Sequence, residues 1–260
     1  MRIAIYSDNF YPELSGITDS IMTVGKELAR RGHFINYYVP RYSKEDYLSL
    51  HRERNLDMGP NIEVHSLPSF PIPTGTGQGR LAPPLMWSFP SIKKFDPDIV
   101  HFHLLGGTGL EAVIASWVFG KPLVGTNHTP FIEFLHYLPL RAKWLDKLIL
   151  GYDSWLYNRC GFVASPAHSI FDAMASFNAR IPHEVVSNPI DVNLFNPHYP
   201  KAALKKKFVF PEFTLLYVGR LAEEKNIAVT LKAAALLKEK IPAFNLVLVG
   251  KGAYEKELRG

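Results

Sequence analysis

An apolar run, Leu215-Leu216-Tyr217-Val218, stops at Gly219, and two cations follow closely: Arg220 at once and Lys225 five residues on. Arginine offers a planar fork of N–H donors and lysine a compact charge, a pairing suited to a diphosphate. If a strand ends at Gly219 and Lys225 lies in the first turn of the next helix, both cations flank one strand-to-helix crevice. The competing reading is an exposed network with Glu223 and Glu224, which is worth little energetically.

Histidines supply further, separate candidates. His101-Phe102-His103 closes an extended run, and a period of two puts both imidazoles on one face. Two such nitrogens could begin a metal site, but no third ligand is evident. The single cysteine, Cys160, excludes a site with two thiolates. A cleft-lining or hydrogen-bonded pair fits better. His128, in Gly125-Thr126-Asn127-His128-Thr129-Pro130, sits just past another apolar run. An imidazole there can donate to a ligand hydroxyl or move a proton, or it can satisfy loop carbonyls. Glu133 and His136 have the spacing of carboxylate-bridged metal proteins, which needs two copies where the chain has one.

The loop over residues 8–16 opens onto a helix at Ile17. Gly16 would let a ligand approach the free N–H groups at the positive helix end, with phosphate as the natural guest. A tight-turn glycine is the plain alternative. No Gly-x-Gly-x-x-Gly fingerprint follows that strand and no P-loop occurs, which weakens hydride-transfer and P-loop readings.

The elements that must position these residues alternate along the chain. Strands are predicted at 2–7, 34–39, 61–67, 98–102, 122–126, 161–165 and 183–187. Helices are predicted at 17–31, 85–95, 111–119, 140–159 and 167–177, with 41–60 a loop carrying a short helix and 68–84 irregular. Strand, helix and strand recur at 213–218, 223–240 and 245–249, and another helix starts at Tyr254. Such alternation implies an α/β fold, a parallel sheet covered on both faces, with ligands beyond the strand carboxyl ends. A polar, proline-bearing linker around 188–212 divides the chain into domains 1–195 and 196–260. The second has too few strands to bury a core alone and is expected to be incomplete.

The chain has 260 residues, of which 47% are hydrophobic and 20% charged, so a real core is available and global disorder is excluded. No apolar stretch reaches 18 residues and no signal-peptide core follows Met1-Arg2, so a cytoplasmic protein is expected. Peripheral contact with the inner face of the membrane is compatible with that. Residues 1–200 carry 17 Lys+Arg against 18 Asp+Glu, and the last 60 carry 12 against 6. The excess suits nucleic acid, acidic lipid or a phosphorylated small ligand, and Lys205-Lys206-Lys207 also reads as a solvated helix face. Aromatic residues there occupy apolar strand positions, so no nucleic-acid partner is expected. Residues 131–159 mix Phe131, Phe134, Trp144 and Trp155 with Arg141, Lys143 and Lys147, either an interfacial segment or the aromatic core face of a helix.

Together these motifs resemble the retaining family 4 glycosyltransferases. Gly219-Arg220-Leu221 with Lys225, and Leu246-Val247-Leu248-Val249-Gly250-Lys251-Gly252, are similar to that family's second domain. Tyr11-Pro12, Ser15-Gly16-Ile17, Arg31-Gly32-His33 and Asp98-Ile99-Val100-His101 are similar to its first. So are Thr126-Asn127-His128-Thr129, Ser165-Pro166 and Asn188-Pro189-Ile190-Asp191 with Phe195. The segment from His128 to Tyr137 is similar to members that glycosylate diacylglycerol or phosphatidylinositol lipids.

The resemblance implies two facing Rossmann-like domains (the GT-B type) with the active cleft between them. It implies a nucleotide-diphosphate sugar as donor, a lipid or glycan hydroxyl as acceptor, retention of configuration, and no cofactor or metal. Arg220 and Lys225 would hold the diphosphate, Gly16 would approach it, and His128 would contact the transferred sugar. Tyr11, Thr18, His101, His103 and Thr129 would line the acceptor side. The departing diphosphate would help take the acceptor's proton. Two positions depart from the family pattern: Ser15 stands where a second glycine is usual, and Pro189 where glycine is usual. The family's later pair of glutamates would lie beyond Gly260, so the 260-residue chain is expected to be inactive and its full-length parent an enzyme. The rivals are a non-catalytic lipid- or glycan-binding relative and a sugar-nucleotide epimerase of similar architecture.

Overall fold

Short runs of consecutive apolar residues form strands buried on both faces, and the amphipathic stretches between them form the covering helices. The computed structural model describes residues 1–13, 15–72, 79–128, 143–175, 181–241, 243–252 and 254–259. The chain divides into two units, Met1–Asp191 and Val192–Gly260.

The first unit runs β1 (Arg2–Ser7), α1 (Gly16–Arg30), β2 (Phe34–Pro40), α2 (Lys44–Ser49) and β3 (Ile62–Leu67). A small hairpin of β4 (Phe70–Pro71) and β5 (Arg80–Leu81) follows, then α3 (Phe89–Phe95), β6 (Ile99–His103), α4 (Gly107–Phe119) and β7 (Leu123–Thr126). The unit ends with α5 (Lys143–Tyr157), β8 (Phe162–Ser165), α6 (His168–Ala175) and β9 (His183–Val185). Seven strands make one parallel sheet in the order β3-β2-β1-β6-β7-β8-β9.

Strand alternation sorts the core onto two faces. Ile3, Ile5, Ile35 and Tyr37 pack on one side with Ile21 of α1, and Ala4, Tyr6, Tyr38 and Phe102 on the other with Leu156 of α5. On the first face the Tyr37 hydroxyl donates to the Ile21 carbonyl at 2.9 Å. A Cβ on Gly25 would lie 1.7 Å from that hydroxyl, so only glycine lets α1 come this close. The chain runs outward from β1 to β3, then returns to lay β6 on the other side of β1. The loops after β1 and β6 therefore diverge, leaving a crevice at their carboxyl ends.

Two helix starts in this unit differ clearly from expectation. The helix expected from residue 85 begins at Phe89. The carboxylate of Glu111, fully buried on α4, accepts from Met86 N (3.2 Å), Ser88 N (2.9 Å) and Ser88 Oγ (2.6 Å). These bonds hold a turn in which Met86 has φ 58°, outside the helical region. The helix expected from Glu111 begins instead at Gly107, because the Asp8 carboxylate accepts from Thr108 N at 3.1 Å and caps its first turn. The stretch expected to be irregular at 68–84 contains the β4–β5 hairpin.

The second unit holds α7 (Lys201–Phe208), β10 (Phe213–Val218), a 3-10 turn (Glu223–Lys225), α8 (Ile227–Lys240), β11 (Phe244–Val249) and α9 (Glu255–Arg259). Its two strands pair in parallel. Lys205, Lys206 and Lys207 form the last turn of α7, where cations complement the helix dipole. Leu221 and Ile227 are buried, whereas Leu216, Val218, Val229 and Leu236 are exposed. Among the described residues no helix is long and apolar enough to cross a membrane.

Candidate functional site

Parallel pairing of β6 with β7 sets His103 opposite Thr126, so the residues that follow β7 come over the end of β6. His128 Nε2 lies 2.9 Å from His103 Nδ1, and His101 Nε2 lies 2.7 Å from Thr126 Oγ1. The rings of His101 and His103 are 4.2 Å apart, and those of His103 and His128 are stacked at 5.2 Å. Burial is the main force on their titration. It pushes His101 and His128 down to about 4 and His103 well below its ordinary value, with neighbouring imidazoles adding to the shift at His101 and His103. At His128 the carboxamide of Asn188, whose Oδ1 accepts from Ser20 Oγ at 3.2 Å, pulls the other way. All three rings are therefore neutral at pH 7, each with one N–H donor and one acceptor nitrogen. One nitrogen of the His103–His128 pair donates to the other, which fixes the two tautomers together. Among the described residues the buried Nδ1 of His128 makes no hydrogen bond of good geometry, although Asn188 stands close enough to act on its titration. A neutral imidazole with an uncommitted nitrogen is suited to hydrogen-bonding a hydroxyl, and at pH 7 it is no reservoir of positive charge.

Asp8 follows β1 in the same crevice. Burial raises it to about 6, against the opposing hydrogen bonds from Thr108. The glycine-rich turn after β6 is filled by the protein itself. A Cβ on Gly106 would lie 2.6 Å from the Asp8 carboxyl, and one on Gly107 1.8 Å from the Ala82 carbonyl oxygen. Gly16 is different. Its φ is not in the left-handed region, and an added Cβ would meet nothing within 4 Å. Ser15, one residue earlier, caps α1 by accepting from Thr18 N at 3.1 Å. The buried Thr18 hydroxyl is 3.0 Å from Ser15 Oγ. Tyr11 is half-buried, and its hydroxyl donates to the Glu53 carbonyl at 2.7 Å. Thr129, Glu133 and His136 lie outside the described residues, as do Phe131, Phe134 and Arg141. Of the aromatic residues farther on, Trp144 and Trp155 of α5 are exposed and Tyr157 is buried.

In the second unit the loops after β10 and β11 lie against each other. Gly219 N donates to Val249 O and Leu221 N to Lys251 O, both at 3.0 Å. A Cβ on Gly250 would lie 1.8 Å from Gly219 O, and one on Gly252 2.0 Å from Leu221 O. Glycine at both positions is what permits the contact. Arg220 sits between these grips, its carbonyl accepting from Tyr217 Oη at 3.0 Å and its side chain exposed. Lys225 is exposed too, but it does not lie in the first turn of the helix. It ends the 3-10 turn, Asn226 follows with φ 51°, and α8 starts at Ile227. The left-handed residue breaks the helical run that the sequence suggests. Both cations still occupy one loop between β10 and α8.

The histidine chain was missed in the sequence because it depends on the register of β6 against β7. The only signal for Asp8 was a carboxylate directly after an apolar strand, which is too common to read.

The profile of Glycosyltransferase Family 4 matches residues 14–194, and that of Glycosyl transferases group 1 matches residues 201–260. The alpha-monoglucosyldiacylglycerol synthase of Streptococcus pneumoniae is 22% identical over all of this chain and 58% of its own length. The GDP-mannose-dependent alpha-mannosyltransferase of Mycolicibacterium smegmatis is 26% identical over all of this chain and 65% of its own length. The chain thus spans about six-tenths of the length of these relatives. Among solved structures, Anabaena Alr3699/HepE in complex with UDP-glucose shares the fold, with a TM-score of 0.69 and 18% identity over all of this chain and 64% of that one. The fold is thus that of the GT-B glycosyltransferases, and the chain belongs to glycosyltransferase family 4.

Proposed function

We propose that the protein transfers a hexosyl group from a nucleotide-diphosphate sugar to a hydroxyl of a lipid or glycan acceptor, with retention of configuration. The bond from the anomeric carbon to the diphosphate oxygen breaks, and a bond to the acceptor oxygen forms on the same face. The acceptor's proton passes to the departing diphosphate. Arg220 and Lys225 neutralise that group, in the way oriented charge commonly lowers a barrier by several kcal/mol. Gly16 leaves room for the donor at the head of α1. His128 hydrogen-bonds a hydroxyl of the transferred sugar, while His103 and His101 position it. The lipid alternative for the acceptor draws support from the diacylglycerol named in the Streptococcus pneumoniae relative, and the donor class from the UDP-glucose and GDP-mannose named in other relatives.

The observation that carries this reading is His128 itself, a buried neutral imidazole at a strand end, held by His103 and with Nδ1 unpartnered among the described residues. The test is a screen of nucleotide sugars with diacylglycerol and oligosaccharide acceptors on the intact protein, with the anomer of the product read by NMR. An α-linked product from an α-linked donor, lost in His128→Ala, is expected. Hydrolysis or epimerisation of the donor without transfer would replace the reading with the epimerase alternative.

A further inference from the structure

A cavity of about 380 Å³ opens at the carboxyl end of β2. Phe10 and Tyr11 from the loop after β1, with Tyr42 and Tyr47, give it an aromatic wall, and Arg41 and Arg54 are the two charged residues of its lining. The bond from Tyr11 to the Glu53 carbonyl pins the 52–58 loop as its far side.

The two arginines differ from the other described arginines of this unit. Arg2 pairs with Asp96 at 2.9 Å, Arg30 and Arg31 with Glu27, and Arg80 with Asp46 at 2.7 Å. Arg52 and Arg159 lie over the rings of Tyr11 and Trp155. Arg41 and Arg54, both exposed, meet no carboxylate among the described residues. Glu53 adjoins Arg54 in the chain without an ion pair between them, and three other acids nearby are already engaged. Glu13 accepts from Asn9 at 3.1 Å and Tyr42 at 3.3 Å, Asp46 from Ser43 N at 2.6 Å as well as Arg80, and Asp57 from Gly59 N at 2.8 Å. The cavity thus offers two guanidinium forks that pair with no carboxylate among the described residues, beside rings on which a polyol can lie. Its volume falls within the range of small-molecule sites, and paired planar forks select phosphate esters by bidentate bonding.

We propose that this cavity binds a phosphate ester headgroup, that of an acceptor which, unlike diacylglycerol, carries a phosphate. Tyr11 stands in the same loop that leads to Gly16, which brings the headgroup toward the residue assigned to the donor. A more open neighbouring cavity, about 610 Å³, shares Arg41, Val64 and Ser66 with the first and is rimmed by Trp87. Trp87 is 54% exposed, so an ester with an apolar tail has a surface to lie on. Identifying the ligand as the acceptor rests on the function proposed above, whereas the binding of a phosphate ester does not.

The experiment uses no donor sugar, so its outcome is independent of transfer. sn-Glycerol 3-phosphate and glycerol are titrated into the intact protein by calorimetry at low salt. Vesicles of phosphatidylglycerol and of phosphatidylcholine are tested by co-sedimentation. Each is repeated with Arg41→Gln, Arg54→Gln and the distant Arg30→Gln, with thermal melts confirming that all variants fold. Glycerol phosphate should bind and glycerol should not, and each cavity variant should weaken binding about tenfold or more while Arg30→Gln does not. Binding of the soluble ester identifies a free phosphate ester as sufficient. Binding only of phosphatidylglycerol vesicles, with the same loss in the cavity variants, identifies a lipid headgroup. Equal response to glycerol and its phosphate, wild-type binding by both cavity variants, or no binding in either arm overturns the site. Separate titration of nucleotide sugars into Arg220→Ala tests the functional reading, so either can fail alone.

Discussion

In the first unit His101, His103 and His128 are taken out of water and bonded to Thr126 and to one another, whereas in the second Arg220 and Lys225 stand exposed on a loop gripped at its backbone by Gly250 and Gly252. The two arrangements answer different needs. A group that must present a neutral nitrogen gains from burial, which suppresses its charge. A group that must meet an anion loses by burial, so it is held by its main chain and keeps its side chain hydrated until a ligand arrives. One site is built from side-chain packing and the other from backbone fit, and they should respond to different perturbations.

Acidification gives the largest contrast, on the order of 3 kcal/mol for each imidazole held near 4 instead of its ordinary 6.5. The unfolded chain binds these protons first, so this contribution is intact above about pH 6.5 and is lost as pH falls through about 4. Asp8 and Asp153, both raised to about 6 by burial, act in the opposite sense. Their folded forms take protons first, so their contribution grows as pH falls from about 6 toward the ordinary carboxylate range. Denaturant melts between pH 4 and 6.5 should show a loss that flattens in His128→Gln and steepens in Asp8→Asn. Identical slopes in both variants would end the account of the buried site. Next in size, Arg220→Ala should lower turnover at least ~100-fold with an unchanged melting temperature, and near-normal turnover would remove Arg220 from its role. Gly107→Ala, forced against the Ala82 carbonyl, should cost about 1–3 kcal/mol of stability by urea unfolding. Gly16→Ala has open space for its methyl and should leave stability within ~0.5 kcal/mol while lowering turnover about tenfold; the reverse pattern would make Gly16 a folding residue.

The alternating layout was legible because period-two and period-3.6 patterns report burial directly, as at β1, α1 and β2. What stayed hidden was set by contacts distant in sequence. Leu85 to Ser88 looks helical until Glu111, more than twenty residues on, takes the Met86 and Ser88 amides. Gly106 to Gly109 looks like a turn ahead of a helix at Glu111 until Asp8 takes the Thr108 amide and the helix starts at Gly107. Lys225 looks like a first-turn residue because nothing local announces that Asn226 turns left-handed. Among the candidate residues, chemical type and chain order could be read early. Which histidine bonds which, and which arginines lack a carboxylate, required the register of the sheet.

Glu111 has a consequence for the outside of the molecule. A carboxylate sealed in the interior tethers the turn beneath Leu85, Met86 and Trp87, each about half exposed. These side chains cannot fold back onto the core without stripping the acid of its amide partners, and the Tyr6 hydroxyl, donating to Ser88 Oγ at 2.7 Å, adds a second anchor. The greasy knob is thus braced from within, its outward posture enforced by an acidic side chain that no solvent touches.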